Sequence, residues 1–140
     1  KGRFTCINKR PLCIVDGAHN AGAADKMAES IRHYFNGKKL IYIMGVFADK
    51  EYKIVLEKTA HFAEKIYTIE TPDNPRALPA EELAKAARVY NSSAESTKSI
   101  KDAVEKAFSC AGDDENSVIL AFGSLSFIGA LTDAVEEYVG

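Results

Sequence analysis

The sequence is poor in the features that would take a chain of this size out of the ordinary globular class. It has three cysteines in 140 residues. Cys6, Cys13 and Cys110 are odd in number, lie far from any CxxC spacing and are mostly flanked by apolar residues, which argues against a disulfide framework and predicts reduced thiols in a cytoplasmic protein. Charge of one sign is also lacking: a formal net charge of -2 creates no field that would draw in nucleic acid or an anionic membrane. Any anionic ligand must then be held by a few placed groups. The longest uncharged stretch, Ser117 to Thr132, falls short of the ~20 residues of a membrane helix, and Gly123, Ser124, Ser126 and Gly129 interrupt it. No apolar h-region follows Lys1, so no signal peptide is read at this N-terminus. His33 and His61 fall on predicted helices without cysteine or carboxylate partners at metal spacing, and no metal site is predicted.

What remains is an average balance of 46% apolar and 27% charged residues, enough to build one domain with a real core. No repeat, low-complexity segment or internal linker divides it. The missing initiator methionine and abrupt start suggest a piece of a longer protein, although a processed or trimmed chain would look the same.

Along the chain the apolar period changes repeatedly between that of a strand and that of a helix. Phe4 to Asn8 and Leu12 to Val15 are short β-rich runs separated by Lys9-Arg10-Pro11, which suits an antiparallel hairpin at a sheet edge. From Ala21, the positions Ala24, Met27, Ala28, Ile31, Tyr34 and Phe35 recur as on an amphipathic helix, which Asn36-Gly37 stops. Leu40 to Met44 reads as a buried strand, Tyr52 to Phe62 as a helix and Lys65 to Glu70 as a third strand. A helix is predicted from about Pro79 to Arg88, with Val89-Tyr90 as a short strand. Ile100 to Phe108 has helical spacing, Val118 to Phe122 is the last strong strand, and Ile128 to Val139 closes the chain as a helix. Strands alternating with helices of this length predict an α/β fold: a Rossmann-like, mostly parallel sheet with helices on both faces and an antiparallel edge hairpin.

In such a sheet ligands bind beyond the carboxyl ends of the parallel strands. The loops there are Asp16 to Asn20, Gly45 to Lys50, Thr71 to Arg76 and Gly123 to Ser126. The first is the most informative. Asp16 stands at a strand end where it could bind ribose hydroxyls, His19 could donate to an anionic or carbonyl oxygen, and Asn20 is placed as an N-cap. A plainer reading, with Asp16-Gly17 only a turn and His19 only solvated, stays open at this point. Asp49 and Lys50 invite a catalytic acid and base reading, but an adjacent charged pair at a loop end is usually solvated and is read as structural or as a domain contact.

The string Ile14-Val15-Asp16-Gly17-Ala18-His19-Asn20 resembles the signature segment of the folylpolyglutamate and dihydrofolate synthases, within the Mur ligase superfamily. Supporting it in order are Gly2-Arg3-Phe4, Met44 to Glu51, Asn74-Pro75-Arg76-Ala77-Leu78 and Phe122-Gly123-Ser124-Leu125, so the resemblance covers nearly the whole chain. Two departures are visible: Ala21 where many relatives have proline, and Ser126 where they have an aromatic residue. Neither removes a group that would bind ATP or glutamate. Peptidoglycan Mur ligases, the same reaction class, usually carry lysine or arginine just after the aspartate, where this chain has Gly17-Ala18-His19.

The resemblance implies that residues 1–140 are the single C-terminal domain of an ATP-dependent amide-forming ligase. No G-x-x-x-x-G-K-[ST] occurs in the chain, so the N-terminal P-loop ATPase domain, which binds ATP and magnesium, is expected on another part of the protein. The family's chemistry activates the folate carboxylate as an acyl phosphate, which L-glutamate then attacks. Carried over by position, Arg3, Asp16 and Asn20 match nucleotide contacts, with Arg3 near the nucleotide and Asp16 on the ribose. His19, Arg76 and Ser124 match the glutamate pocket, where His19 binds substrate or accepts the amine proton. Magnesium is expected in the parent enzyme but not on this chain. The expected partners are folate, glutamate and the P-loop domain, with neither nucleic acid nor membrane. A stand-alone nucleotide- or amino-acid-binding module without catalysis is the competing reading of the fold.

Overall fold

The computed structural model describes residues 4–140; the predicted contact Arg3 lies outside the described residues. The chain forms a six-stranded sheet in the order β1-β2-β6-β3-β4-β5. In chain order these strands are β1 (Thr5–Lys9), β2 (Leu12–Val15), β3 (Lys39–Met44), β4 (Ala63–Thr68), β5 (Glu95–Ser96) and β6 (Ser117–Phe122). Only β1 runs antiparallel, as the outer arm of the predicted edge hairpin with β2; the other pairings are parallel. The helices are α1 (Ala21–Tyr34), α2 (Tyr52–Thr59), α3 (Ala80–Arg88), α4 (Ile100–Ala111) and α5 (Ile128–Val139).

The pleat of the central strands sorts the core into two halves. Leu40, Tyr42 and Met44 of β3 and Val118, Leu120 and Phe122 of β6 join Met27 and Ile31 of α1, Val55 and Leu56 of α2, and Leu83 of α3. The alternate residues Ile41, Ile43, Ile119 and Ala121 pack with Val104 and Phe108 of α4 and Leu131 and Val135 of α5. Strand β6 is buried along its whole length, which explains why its sequence reads as a continuous apolar run rather than an alternating one. Helices therefore cover both faces, as the sequence predicts.

Some boundaries differ from the sequence reading. The helix expected over Tyr52 to Phe62 is α-helical only to Thr59, continues as a 3₁₀ turn over Ala60–Phe62, and passes directly into β4 at Ala63, ahead of the predicted start at Lys65. Partners distant in sequence define this end. The Tyr42 hydroxyl donates to the Thr59 carbonyl (2.7 Å), and the Asn91 side-chain amide donates to the carbonyls of Ala60 and Ala63 (2.8 Å each). These bonds satisfy carbonyls that a helix end leaves open. Val89-Tyr90 is not a strand. It finishes the last turn of α3, with the Tyr90 amide bonded to the Ala87 carbonyl; Val89 is 76% exposed, so its β-branched preference finds nothing to pack against. The short strand is instead Glu95–Ser96, paired with Tyr67 and Thr68.

Candidate functional site

The order of the strands places the site. From β2 and β3 the chain leaves toward the face that carries α1 and α2, while from β6, which lies between them, it leaves toward α5 on the other face. Loops that part in this way open a crevice at the carboxyl edge of the sheet. A cleft of about 270 Å³ lies there, lined by His19 from the β2 loop, Phe47 and Lys50 from the β3 loop, Arg76 from the loop after β4, and Gly123 to Ser126 from the β6 loop. All four loops singled out from the sequence contribute to it. A larger hollow of about 540 Å³ at the opposite edge is lined by Lys9, Arg10, Lys38 and Asp113 among others, and contains none of the motif residues.

Close packing between loops gives the cleft its shape. Gly123 has φ +116°, and a Cβ placed on it would fall 2.4 Å from the Gly45 carbonyl oxygen. Only glycine lets the β6 loop approach the β3 loop this closely. Leu125 leans on Gly17, where a Cβ would meet its Cδ2 at 3.0 Å, yet 63% of Leu125 remains exposed. The loops after β3 and β4 are joined through the backbone: the Ala48 amide donates to the Arg76 carbonyl (2.7 Å) and the Leu78 amide to the Val46 carbonyl (3.0 Å).

Within this frame each predicted residue other than Arg3 has a defined position. Asp16 is 5% exposed, and its Oδ1 accepts from the Ala18 amide at 2.7 Å, closing a turn at the end of β2 and fixing the carboxylate's orientation. His19 Nδ1 lies 2.8 Å from the Gly17 carbonyl oxygen. A carbonyl can only accept, so Nδ1 carries the proton and Nε2 of the neutral ring is left as an acceptor. Asn20 caps α1 as expected, its side-chain oxygen accepting from the Ala23 amide at 2.9 Å, while the Ala21 amide donates to Glu51 Oε1 at 2.9 Å. The Ala21 and Ala23 amides at the start of α1 are thus taken up within the protein.

Ser124 is 6% exposed and accepts from the Ser126 amide at 3.2 Å, with the two hydroxyls 2.8 Å apart. It caps the 3₁₀ turn Leu125–Phe127 that leads into α5 and lines the cleft as well. Arg76 is clamped. Its Nε and Nη2 donate to Oδ2 and Oδ1 of Asp49, both at 3.2 Å, and its guanidinium carbon lies 4.4 Å from the centre of the Phe47 ring. The Arg76 guanidinium holds the Asp49 carboxyl below its usual range. The partner of Asp49 is therefore Arg76 and not the adjacent Lys50, which lines the cleft separately.

His19, Arg76 and Ser124 thus line one cleft, and Asp16 and Asn20 flank it at the foot of the β2 loop. Sequence reasoning missed Phe47 and Ser126. Phe47 sits inside the Met44 to Glu51 motif and Ser126 directly follows the Phe122 to Leu125 motif, and the signal for a site role was their place in loops that follow parallel strands. Among the described residues no group of three or more His, Cys, Asp or Glu side chains could hold a metal ion.

A mostly parallel α/β sheet whose motif loops meet in a cleft at a topological switch defines a domain of the Rossmann-like class. Residues 2–125 match the family described as Mur ligase, glutamate ligase domain, and the chain belongs to that family. It is 28% identical over 127 residues to the dihydrofolate synthase/folylpolyglutamate synthase of Bacillus subtilis, covering 91% of this chain and 28% of that protein. It is 30% identical over 77 residues to the folylpolyglutamate synthase of Lacticaseibacillus casei, covering 55% of this chain and 18% of that one. In structure it resembles Escherichia coli FolC in complex with DHPP and ADP, with a TM-score of 0.84 at 21% identity, over 99% of this chain and 32% of that one. At that identity the likeness establishes the fold alone. A bifunctional folylpolyglutamate synthase/dihydrofolate synthase solved with Mn, AMPPNP and L-glutamate bound gives 0.80 at 24% identity, over 96% of this chain and 31% of that one. The chain therefore spans roughly a third or less of the length of these proteins.

Proposed function

We propose that this chain is the C-terminal, glutamate-binding domain of an ATP-dependent folylpolyglutamate synthase. The observation that carries the reading is the single cleft in which His19, Arg76 and Ser124 meet from separate loops, each at a motif position of the folate ligases. The alternatives are less favoured: the relatives named above are folate enzymes, and Gly17 follows the motif aspartate where peptidoglycan ligases carry a basic residue.

When bound, ATP supplies the phosphoryl group that turns the folate's terminal carboxylate into an acyl phosphate. This chain's part is to hold the nucleophile. Glutamate brings two carboxylates and an amine that must be neutral to attack. Arg76 takes one carboxylate as a charge-assisted fork, and the Ser124 hydroxyl hydrogen-bonds the other. His19, with Nδ1 committed to the Gly17 carbonyl, offers Nε2 to the amine proton. Asp16 and Asn20, with Arg3, form this domain's share of the nucleotide contact. The oriented Asp16 carboxylate suits a ribose diol, and its 5% exposure offers the nucleotide little surface in the domain alone, so the contact is assigned to the assembled enzyme. The metal belongs to the P-loop domain, and the exposed Leu125 beside the cleft is a surface for that domain to cover.

In the full-length ligase, Arg76→Ala removes the guanidinium that pairs with a substrate carboxylate, and because the Arg76 side chain is 47% exposed the loss falls at the low end of about 2–5 kcal/mol. The expected result is a rise of about 30-fold in glutamate KM with ATP KM nearly unchanged. An equal rise in both constants, or in neither, refutes the assignment.

A further inference from the structure

The clamp on Arg76 is more than a loop brace. A guanidinium has five N–H donors arranged around a planar fork. Asp49 takes two of them side-on, through Nε and Nη2, and the Phe47 ring covers one face of the plane at 4.4 Å. Among the described residues nothing else engages the guanidinium side chain. What remains is the opposite edge, formed by Nη1 and the second hydrogen of Nη2, which has the geometry for an end-on bidentate carboxylate. The backbone is held as well, since the Arg76 carbonyl accepts from the Ala48 amide within the loop that supplies Phe47 and Asp49.

We propose that Asp49 and Phe47 are positioning residues that hold Arg76 as a pre-set carboxylate receptor, with one edge fixed by Asp49 so that the other is offered to the substrate. The proposal rests on the reading that Arg76 binds a glutamate carboxylate. Its physical content is pre-organisation: a long arginine side chain already fixed before binding loses little rotamer freedom when the ligand arrives. The pair is a poor stabiliser of the fold, because its side chains are 47% and 59% exposed and exposed ion pairs contribute little. It also carries an opposing tendency, since the Asp49 charge repels an incoming carboxylate. The two roles predict opposite signs.

The test uses the full-length ligase with glutamate as the varied substrate. If Asp49 positions Arg76, Asp49→Ala raises glutamate KM by about 3- to 10-fold, the cost of ordering one long side chain on binding, while kcat and ATP KM change less than about twofold. Asp49→Glu, which keeps two carboxylate oxygens, restores most of the loss. Phe47→Leu, which keeps apolar bulk without the ring face, raises glutamate KM about 2- to 5-fold, the range for an exposed cation–π contact. An Asp49→Ala enzyme with unchanged or lower glutamate KM overturns the proposal, provided that Arg76→Ala still raises it; if Arg76→Ala has no effect, the underlying assignment of Arg76 fails instead. Equal losses in Asp49→Ala and Asp49→Glu also overturn it, because a positioning role depends on the carboxylate that Asp49→Glu preserves.

Discussion

Replacing Gly123 with alanine tests whether the approach of the β6 and β3 loops shapes this domain. The new methyl group meets two penalties. The backbone at φ +116° is one that L-residues rarely adopt, costing about 1–3 kcal/mol. The Cβ would also sit 2.4 Å from the Gly45 carbonyl oxygen, well inside contact distance, and forcing the loops apart adds about 1–3 kcal/mol. Against these, the alanine chain loses less freedom on folding, a gain of about 0.4–1 kcal/mol. Taken near the middle of each range, the net expectation is a destabilisation of about 2–4 kcal/mol. With an unfolding entropy of about 2.1 cal/mol/K per residue, a 140-residue domain should melt roughly 7–14 °C lower. Thermal unfolding of the chain by circular dichroism measures this directly. Gly129 provides a control of opposite sign: it sits in the first turn of α5, and a methyl group added there would meet nothing within 4 Å, so Gly129→Ala should raise the melting temperature by a degree or more. If Gly123→Ala melts within about 2 °C of the parent chain, the close approach does not constrain the loops and the argument for the cleft's shape fails.

Two further expectations concern the core. Tyr42→Phe leaves the Thr59 carbonyl without the hydroxyl that reaches it at 2.7 Å and should cost about 1–2 kcal/mol in urea unfolding; a loss below about 0.3 kcal/mol would mean that water or the 3₁₀ turn satisfies that carbonyl instead. Burial pushes the Cys13 thiol from its ordinary 9.0 to about 12. The folded chain then holds a proton that the unfolded chain releases, so the Cys13 contribution to stability is complete below pH 9 and is lost as pH rises toward 12; in the native state a thiol reagent should titrate exposed Cys6 and leave Cys13 untouched until the chain unfolds, and rapid native reaction of Cys13 would contradict its burial.

The parts of the fold visible in the sequence are those written in local periodicity. The spacing of Ala24, Met27, Ala28 and Ile31 encodes the buried stripe of α1, and those four residues are its buried positions, whereas Tyr34, expected on the same stripe, is 64% exposed at the end of the helix. The apolar run Val118 to Phe122 encodes a strand covered on both faces. What local pattern misses is structure decided by distant partners. The end of α2 depends on Tyr42 and Asn91, and nothing near Thr59 announces either. Val89-Tyr90 has strand-forming residues but no strand beside it. The site shows the same division. Its loops could be read because they follow parallel strands, and Asn20 could be read as a cap, but the clamp of Asp49 and Phe47 on Arg76 joins residues 27 positions apart and only the fold brings them together.

The place of β6 has a consequence for how the chain comes to be built. In the sheet it lies between β2 and β3, yet it is made after every other strand. Without Ser117 to Phe122, β2 and β3 would each present an unpaired edge, and both apolar layers would lack the residues that β6 supplies. Such edges invite pairing with other chains. Strand β6 therefore completes the sheet and the cleft together: it fills the ladder positions beside β2 and β3, and the loop that follows it sets Gly123 against Gly45.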